Sequence, residues 1–320
     1  MGIWNRKLNL GTNIASTRWN NKCTGDSMRK TLLCLLVISA CIGMLSSCRK
    51  SVMPAPVDGQ PNPPHPSQGP PAKLVETEPP VLTPVTFDVS TNIKGYYKSL
   101  PARYAESDEK YPTIIYFHGG GQYGNGSTDL PMVLEEGIPK LISEKKFPPS
   151  FTVNDEKFSF IVIAPQFTKM PVNGDIQQLI KHVKDSFRVD PTRVYLAGLS
   201  LGSRMLSDYA AYRPTEIAAI TAMAGAPQID DNLDAKCAAM VNAELPVWQF
   251  HNRDDSAWYY SEASRYIQVF NSLNPVIPAK LTTFEVGTAR LHHDCWTKGT
   301  DPAYKEDGKN IYEWMLQFTR

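Results

Sequence analysis

The chain has 320 residues, of which 42% are hydrophobic and 20% are charged, and its formal net charge is +1. This composition is typical of a globular protein with one or two domains, and it lacks the basic excess of most nucleic-acid-binding proteins. We therefore expect no nucleic-acid partner. The 26 prolines are unevenly distributed, with a dense group between Pro54 and Pro84 that indicates a linker.

The first recognisable segment is a short apolar run at residues 31–44, which follows Arg29 and Lys30 and precedes small residues. A membrane-spanning helix needs about 20 apolar residues, so a run of this length with a basic segment before it predicts a secretory signal peptide. Met28 stands directly before Arg29 and is expected to be the true start of translation.

The signal region is expected to end at Cys48, because Leu45-Ser46-Ser47-Cys48 resembles a bacterial lipobox. The resemblance implies that Cys48 carries a lipid and that the protein is exported. It would then be anchored to a bacterial membrane through that lipid alone, at the periplasmic face or the cell surface. The alternative is an ordinary cleaved signal with an incidental cysteine. Residues 1–48 form the predicted signal region in either case.

Residues 49–84 are rich in proline and poor in large apolar side chains, so they are predicted to form an extended linker. Residues 85–320, roughly 235 in number, are enough for one well-buried domain. Of the six cysteines, only Cys237 and Cys295 fall in this domain. Export permits a disulfide between them, and the spacing leaves a disulfide and two free thiols as open alternatives.

Strand-like and helix-like segments alternate along the domain. Two strands near its start, at residues 85–89 and 96–100, are expected to form an antiparallel edge. Near-continuous apolar runs predict buried parallel strands at residues 113–117, 160–164, 193–197, 217–223, 246–250 and 281–286. Helical periodicity covers residues 176–183, 203–212 and 311–318. The alternation predicts an α/β fold with a mostly parallel central sheet flanked by helices, and little or no lid.

The segment Gly198-Leu199-Ser200-Leu201-Gly202 has the pattern G-x-S-x-G. It directly follows one predicted strand and precedes a predicted helix. That context predicts a sharp strand-to-helix turn that lifts Ser200 above the sheet as a nucleophile. The alternative is a loop serine between two flexible glycines.

A second glycine-rich segment, His118-Gly119-Gly120-Gly121, follows the predicted strand at residues 113–117. Backbone N–H groups in such a loop approach a substrate oxygen closely and stabilise an oxyanion. Gly120 or Gly121 is the expected source of one donor, and the N–H of Leu201 is the expected second. A phosphate loop would need a Lys-Ser/Thr after the glycines, and Gln-Tyr stands there instead. His118 is expected to be structural.

A serine nucleophile needs a general base and an acid that orients it, and in this type of fold they follow the serine in the order acid, then histidine. His292 and His293 lie in the loop after the strand predicted at residues 281–286. Asp254 and Asp255 follow the preceding strand. The residues alone do not decide between Asp254 and Asp255 as the acid, or between His292 and His293 as the base. The chain shows no metal-ligand spacing, and this chemistry needs no cofactor.

Together, the motifs HGGG, GLSLG, FHNRDD and HHDCW, in this order, resemble the bacterial esterase and prolyl-oligopeptidase-like branch of the α/β-hydrolase superfamily. They are also similar to polyhydroxybutyrate-depolymerase-like and feruloyl-type carbohydrate esterases. The likeness covers about residues 95–318. It implies the α/β-hydrolase fold, with Asp255 as the acid and His293 as the base. The sequence departs from that pattern in having Asn252 where glycine is usual and Ser203 where a second glycine is common.

These features predict a serine esterase that uses Ser200, Asp255 and His293 without a metal or cofactor. Its expected substrates are carboxylic esters, with acetyl or feruloyl groups on polysaccharides preferred. Trp258, Tyr259 and Trp296 are candidates for a sugar or aromatic pocket, and packing is the alternative for each. One alternative function is a serine peptidase of the prolyl-oligopeptidase type. The other is a glycan-binding lipoprotein without catalysis.

Overall fold

The computed structural model describes residues 74–286 and 292–320. The predicted signal region, with Cys48, and linker residues 49–73 lie outside this part of the chain. Within the described residues, no helix is long and apolar enough to cross a bilayer. The strands are β1 (Val81–Ser90), β2 (Ile93–Leu100), β3 (Tyr111–Phe117), β4 (Phe151–Val153), β5 (Glu156–Phe158), β6 (Ile161–Phe167), β7 (Val189–Leu199), β8 (Ala219–Met223), β9 (Val247–Asn252) and β10 (Lys280–Phe284). The helices are α1 (Gly137–Ser143), α2 (Asn173–Ser186), α3 (Leu201–Tyr212), α4 (Leu233–Asn242), α5 (Tyr260–Ser272), α6 (Trp296–Gly299) and α7 (Ile311–Met315).

Eight strands form one sheet in the order β1-β2-β6-β3-β7-β8-β9-β10, and β4 pairs with β5 in a separate hairpin. β2 is antiparallel to both of its neighbours, whereas every other pairing in the sheet is parallel. The predicted antiparallel edge and parallel body are therefore confirmed. When the hairpin is left aside, the strand order is that of the α/β-hydrolase fold, so the fold prediction is also confirmed.

The sheet separates two hydrophobic cores. Alternate residues of a strand point to opposite faces. In β3, Ile115 belongs to the core that includes residues of α2, α3, α4 and α5, whereas Ile114 belongs to the core that includes residues of α1, α6 and α7. β3, β6, β8 and β9 are buried along their whole length. This burial explains why their sequences are apolar without alternation.

The predicted buried face of α2 matches the structure, whereas the helix predicted at residues 311–318 is shorter than expected. The four apolar residues that predict α2 are all buried. α7 ends at Met315 rather than continuing to residue 318, because the chain beyond it turns toward β7. There the Arg193 guanidinium donates to the Leu316 carbonyl at 2.7 Å, and the Tyr195 hydroxyl donates to the Phe318 carbonyl at 2.9 Å.

The two cysteines of the domain do not form a disulfide. Both are buried free thiols. Cys237 on α4 belongs to one hydrophobic core and Cys295 to the other, so the sheet lies between them. The sequence left open a disulfide or two free thiols, and the structure has two free thiols.

The first strand begins earlier than the apolar pattern indicates. β1 starts at Val81, within the segment predicted as linker, and pairs with β2 from that residue onward. Most of its side chains are exposed, as is usual for an edge strand, so its sequence carries little hydrophobic signal.

Candidate active site

Ser200 occupies a tight turn between β7 and α3. Its backbone has φ 52° and ψ −121°, a region that non-glycine residues enter only under strain and that is often found at functional sites. The turn also requires its flanking glycines. A Cβ atom on Gly202 would lie 2.3 Å from the Phe117 carbonyl oxygen, and one on Gly198 would lie 2.8 Å from the same atom. The G-x-S-x-G pattern is therefore a packing requirement of this turn.

A continuous chain of hydrogen bonds joins the predicted serine, histidine and aspartate. The Ser200 Oγ lies 2.8 Å from His293 Nε2, and His293 Nδ1 lies 2.7 Å from Asp255 Oδ2. With its proton on Nδ1, the imidazole donates to the carboxylate and accepts from the serine hydroxyl at Nε2. Trp296 packs edge-on against the imidazole, with ring centroids 5.2 Å apart.

The Asp255 carboxylate is fully buried but well supplied with donors. Its Oδ1 accepts the backbone N–H groups of Ala257 and Trp258, each at 2.9 Å. His251 Nε2 lies 3.3 Å from Oδ2. Burial alone would raise the pKa of Asp255, but hydrogen bonds from His251, His293 and the Trp258 N–H together hold it well below its usual range. Asp255 is therefore a carboxylate at neutral pH.

The neighbouring residues Asp254 and His292 form a pair of their own. His292 Nδ1 lies 2.6 Å from Asp254 Oδ2. The structure thus separates the candidates that the residues alone left open. Asp255 and His293 are joined to Ser200, as the family resemblance implies, whereas Asp254 and His292 are not part of that hydrogen-bond chain.

The glycine-rich loop lies beside Ser200. A Cβ atom on Gly119 would lie 3.5 Å from Ser200 Cβ, and one on Gly120 would lie 3.5 Å from Leu201 Cδ2. The corresponding position on Gly121 has no atom within 4 Å, and both Gly120 and Gly121 are exposed. Of the two glycines proposed from sequence, Gly120 is therefore the one packed next to Leu201.

His118 anchors this loop to the sheet, in agreement with its expected structural role. Its Nε2 accepts the N–H of Phe167 at the end of β6 at 3.0 Å, so its proton is on Nδ1, 2.6 Å from the Gly119 carbonyl oxygen. Burial lowers the pKa of His118 to about 4. The side chain is neutral at pH 7, and both of its ring nitrogens form hydrogen bonds that hold the loop.

Sequence reasoning missed a carboxylate on the far side of the loop. Gln122 Nε2 donates to Glu136 Oε2 at 3.1 Å, and Gln166 Nε2 donates to the Gln122 carbonyl at 3.0 Å. Burial raises the pKa of Glu136, and the bond from Gln122 opposes this effect. Glu136 is close enough to His293 for their charges to interact. No motif marks Glu136, because only folding brings it to the loop.

The remaining candidates are distributed differently around the site. Trp296 is buried against His293, Trp258 is half-buried, and Tyr259 is 65% exposed. Of the two alternatives for Trp296, a pocket residue or a packed core residue, the structure shows the packed core residue. In the described parts of the chain, no cluster of three or more histidine, cysteine, aspartate or glutamate side chains is arranged to hold a metal ion.

No protein-family model matches the chain, and neither does any curated protein sequence. Several solved structures are similar to it. A thermostable esterase is 17% identical, with coverage of 76% of this chain and 64% of that chain and a TM-score of 0.48. A ferulic acid esterase from the anaerobic fungus Anaeromyces mucronatus is 17% identical, with coverage of 70% and 88% and a TM-score of 0.46. A putative dipeptidyl aminopeptidase IV from Bacteroides ovatus is 13% identical, with coverage of 64% and 32% and a TM-score of 0.43.

The chain spans less than two thirds of the thermostable esterase and about one third of the putative peptidase. The assignment of the fold depends on features of the chain itself. These are the strand order, the strained serine after β7, and the aspartate and histidine after β9 and β10. On this evidence the chain has the α/β-hydrolase fold.

Proposed function

We propose that the protein is a serine esterase that hydrolyses carboxylic esters with Ser200 as nucleophile, His293 as general base and Asp255 as the acid that orients it. The observation that carries this proposal is the hydrogen-bond chain from Ser200 Oγ through His293 to Asp255, with distances of 2.8 and 2.7 Å. It starts at a strained turn beside a glycine-rich loop, where a nucleophile and an oxyanion site would need to meet.

In the first half of the reaction, Ser200 Oγ attacks the ester carbonyl carbon while its proton passes to His293 Nε2. The carbonyl π electrons move to the oxygen, which becomes an oxyanion. The backbone N–H groups of Leu201 and Gly120 are the proposed donors to it. When the C–O bond to the alcohol breaks, His293 returns its proton to the leaving oxygen, and an acyl group remains on Ser200.

Water completes the cycle by the same route. His293 takes a proton from the water as its oxygen attacks the acyl carbonyl. The tetrahedral intermediate then collapses, the proton goes back to Ser200 Oγ, and the carboxylic acid leaves. Asp255 stays ionised throughout and stabilises the imidazolium that forms twice per turnover. The low pKa of Asp255 supports this role.

The proposed substrate class is acetyl or feruloyl esters on polysaccharides. We propose that a polymeric substrate extends from Ser200 into an open groove of ≈ 550 Å³ along α3, whose lining does not itself include Ser200, Asp255 or His293. α3 begins at the residue after Ser200, and in its first turn Arg204 donates to Gln228 of the groove wall at 2.5 Å. On the other wall, Met170 contacts Tyr123, whose ring packs edge-on against His118 of the glycine loop.

The chemistry of the groove suits a sugar chain. It combines the half-exposed ring of Tyr212 with the apolar side chains of Met170 and Val172 and with the polar groups of Asp208 and Asn232. A sugar presents both C–H faces and hydroxyl groups, so it can pack on the ring and hydrogen-bond to the polar groups at once.

The test of the esterase is hydrolysis of p-nitrophenyl acetate by the purified full chain. Ser200→Ala is expected to reduce turnover to the background rate. Ser203→Ala is the matched control, because Ser203 Oγ is buried and has no hydrogen-bond partner among the described residues. This control should keep its activity. If a folded wild-type chain shows no turnover, the small-ester proposal fails, and binding to glycans or cleavage of peptides would then be measured.

The polysaccharide preference has its own test. Tyr212→Ala should lower kcat/KM on acetylated or feruloylated xylan by about tenfold, the loss expected for about 1–1.5 kcal/mol of contact. Its kcat/KM on p-nitrophenyl acetate should be unchanged. Phe87→Ala removes an exposed aromatic ring that does not line the groove, so it serves as the control. Equal losses on both substrates would contradict the role of the groove.

We further propose that Cys48 anchors the exported protein to a bacterial membrane. The support is the sequence alone: a basic segment, a short apolar run, the lipobox-like Leu45–Cys48 and a proline-rich tether in that order. Incorporation of a fatty-acid analogue in cells should label the wild-type chain and not Cys48→Ser. An unlabelled, freely released wild-type chain would contradict the anchor.

A further inference from the structure

The loop that carries His293 is tied to the loop that carries Asp255 by two further contacts. Asn252 Nδ2 donates to the His292 carbonyl oxygen at 2.8 Å, and His292 Nδ1 pairs with Asp254 Oδ2 at 2.6 Å. We call these three residues, Asn252, Asp254 and His292, the base-loop clamp. Both contacts end on His292, the residue directly before the proposed base.

His292 has a backbone conformation that needs such support. Its φ is +53°, in the left-handed region that costs a non-glycine residue roughly 1–2 kcal/mol. The clamp contacts His292 through both its carbonyl oxygen and its side chain. Because the backbone of His292 sets the direction in which the chain enters His293, this conformation fixes where the His293 imidazole points.

The two contacts differ in their surroundings. Asn252 is the last residue of β9 and is almost fully buried, so its side chain is held by the sheet. Asp254 and His292 are partly exposed, and exposed pairs contribute little to global stability. The clamp is thus better placed to set a local geometry than to hold the fold together.

The clamp also gives a role to two features that the reaction leaves unused. Asn252 stands where the family resemblance expects glycine, and glycine has no side chain to donate to His292. The doubled motifs Asp254-Asp255 and His292-His293 supply two parallel pairs, of which the reaction uses one.

We infer that the base-loop clamp is a positioning device, in which Asn252 and Asp254 hold His292 in its left-handed conformation so that His293 Nε2 stays within reach of Ser200 Oγ. Neither contact involves a reacting atom. The inference rests on the proposed function, since it assigns the clamp to the same base. A misplacement of about 1 Å at such a site costs about 100-fold in rate.

The first test removes each contact in the full chain. Asn252→Gly and Asp254→Ala should each lower kcat for p-nitrophenyl acetate by about 10- to 100-fold with little change in KM, because substrate binding does not depend on the clamp. Asp254→Asn keeps an acceptor for His292 and should recover most of the loss. Unchanged kcat in both removal variants would overturn the inference, and so would equal losses in Asp254→Ala and Asp254→Asn.

The second test separates the backbone of His292 from its side chain. His292→Gly and His292→Ala both remove the imidazole, but only glycine adopts a positive φ without cost. The glycine variant should therefore retain more activity than the alanine variant. The opposite order would show that the conformation of residue 292 does not matter.

A third readout does not depend on turnover and detects a variant that fails to fold. The proton between His293 Nδ1 and Asp255 should give a low-field imidazole N–H resonance in the wild-type chain. Asn252→Gly should broaden or shift that signal while the far-ultraviolet circular dichroism spectrum stays unchanged. An inactive wild-type chain would contradict the esterase proposal, whereas an unaltered resonance in Asn252→Gly would contradict the clamp alone.

Discussion

Two adjacent aspartates pair with two adjacent histidines across the same loops, and the two pairs have nearly equal distances. His293 and Asp255 are 2.7 Å apart, and His292 and Asp254 are 2.6 Å apart. The first pair is buried, with side-chain exposures of 15% and 0%, whereas the second has exposures of 54% and 32%. Only the buried pair reaches Ser200.

The comparison shows that distance alone does not give an ion pair a chemical role. Water screens the exposed pair, and such pairs are worth little. In the buried pair the surroundings are less polar, so the charge of Asp255 acts strongly on the imidazole. The two backbone N–H groups and His251 that surround Asp255 allow it to stay ionised there.

The largest expected difference comes from the same substitution at the two neighbouring aspartates. Asp255→Asn should lower kcat by about 10³- to 10⁴-fold, because an amide cannot keep the His293 proton on Nδ1 as a carboxylate does. Asp254→Asn should keep most of the wild-type kcat. Steady-state hydrolysis of p-nitrophenyl acetate measures both variants. Similar losses of kcat in the two variants would contradict the claim that only the pair of Asp255 and His293 takes part in the reaction.

The buried imidazole of His118 also predicts how stability depends on pH. Burial lowers the pKa of His118 from 6.5 to about 4, so the unfolded chain binds a proton there that the folded chain does not. The contribution of His118 is therefore complete above pH 6.5 and is lost as the pH falls toward 4. It amounts to about 3 kcal/mol of unfolding free energy.

Urea unfolding at pH 7 and pH 4.5 measures this contribution. His118→Gln should show a smaller loss of unfolding free energy over that range than the wild-type chain. If His118→Gln and the wild-type chain respond equally to pH, His118 does not contribute to the pH dependence of the unfolding free energy.

A smaller effect is expected at the glycines, where buried and exposed positions again differ. Gly202→Ala would place a Cβ 2.3 Å from the Phe117 carbonyl oxygen and should destabilise the fold by about 1–3 kcal/mol. Gly174→Ala on α2 meets no atom within 4 Å, so it should be neutral or slightly stabilising. Thermal unfolding of the two variants tests this, and equal shifts in Tm would contradict the tight packing of the turn between β7 and α3.

Local sequence patterns were enough to predict most of the strands that build the sheet and the turn that carries Ser200. The apolar runs of β3, β6, β7 and β8, and the serine between glycines, are contiguous in sequence and reflect strong local constraints. The resemblance to esterases then favoured Asp255 and His293 over their neighbours, in agreement with the observed hydrogen bonds.

What could not be predicted depends on contacts between distant segments. Glu136 reaches Gln122, and Asn252 reaches His292, only after the sheet forms. Nor does any pattern give the end of α7, beyond which side chains of β7 bind the carbonyls of Leu316 and Phe318. The edge strand β1 lacks an apolar signal because most of its side chains are exposed to solvent.

The measurement that tests the nucleophile most directly is mass spectrometry of the purified chain after reaction with phenylmethylsulfonyl fluoride. We expect one sulfonyl adduct on Ser200, no adduct in Ser200→Ala, and a much slower reaction in His293→Ala, because the base activates the hydroxyl. An unmodified wild-type chain that is folded, or an adduct on a different serine, would contradict the assignment of Ser200 as the nucleophile of a serine esterase.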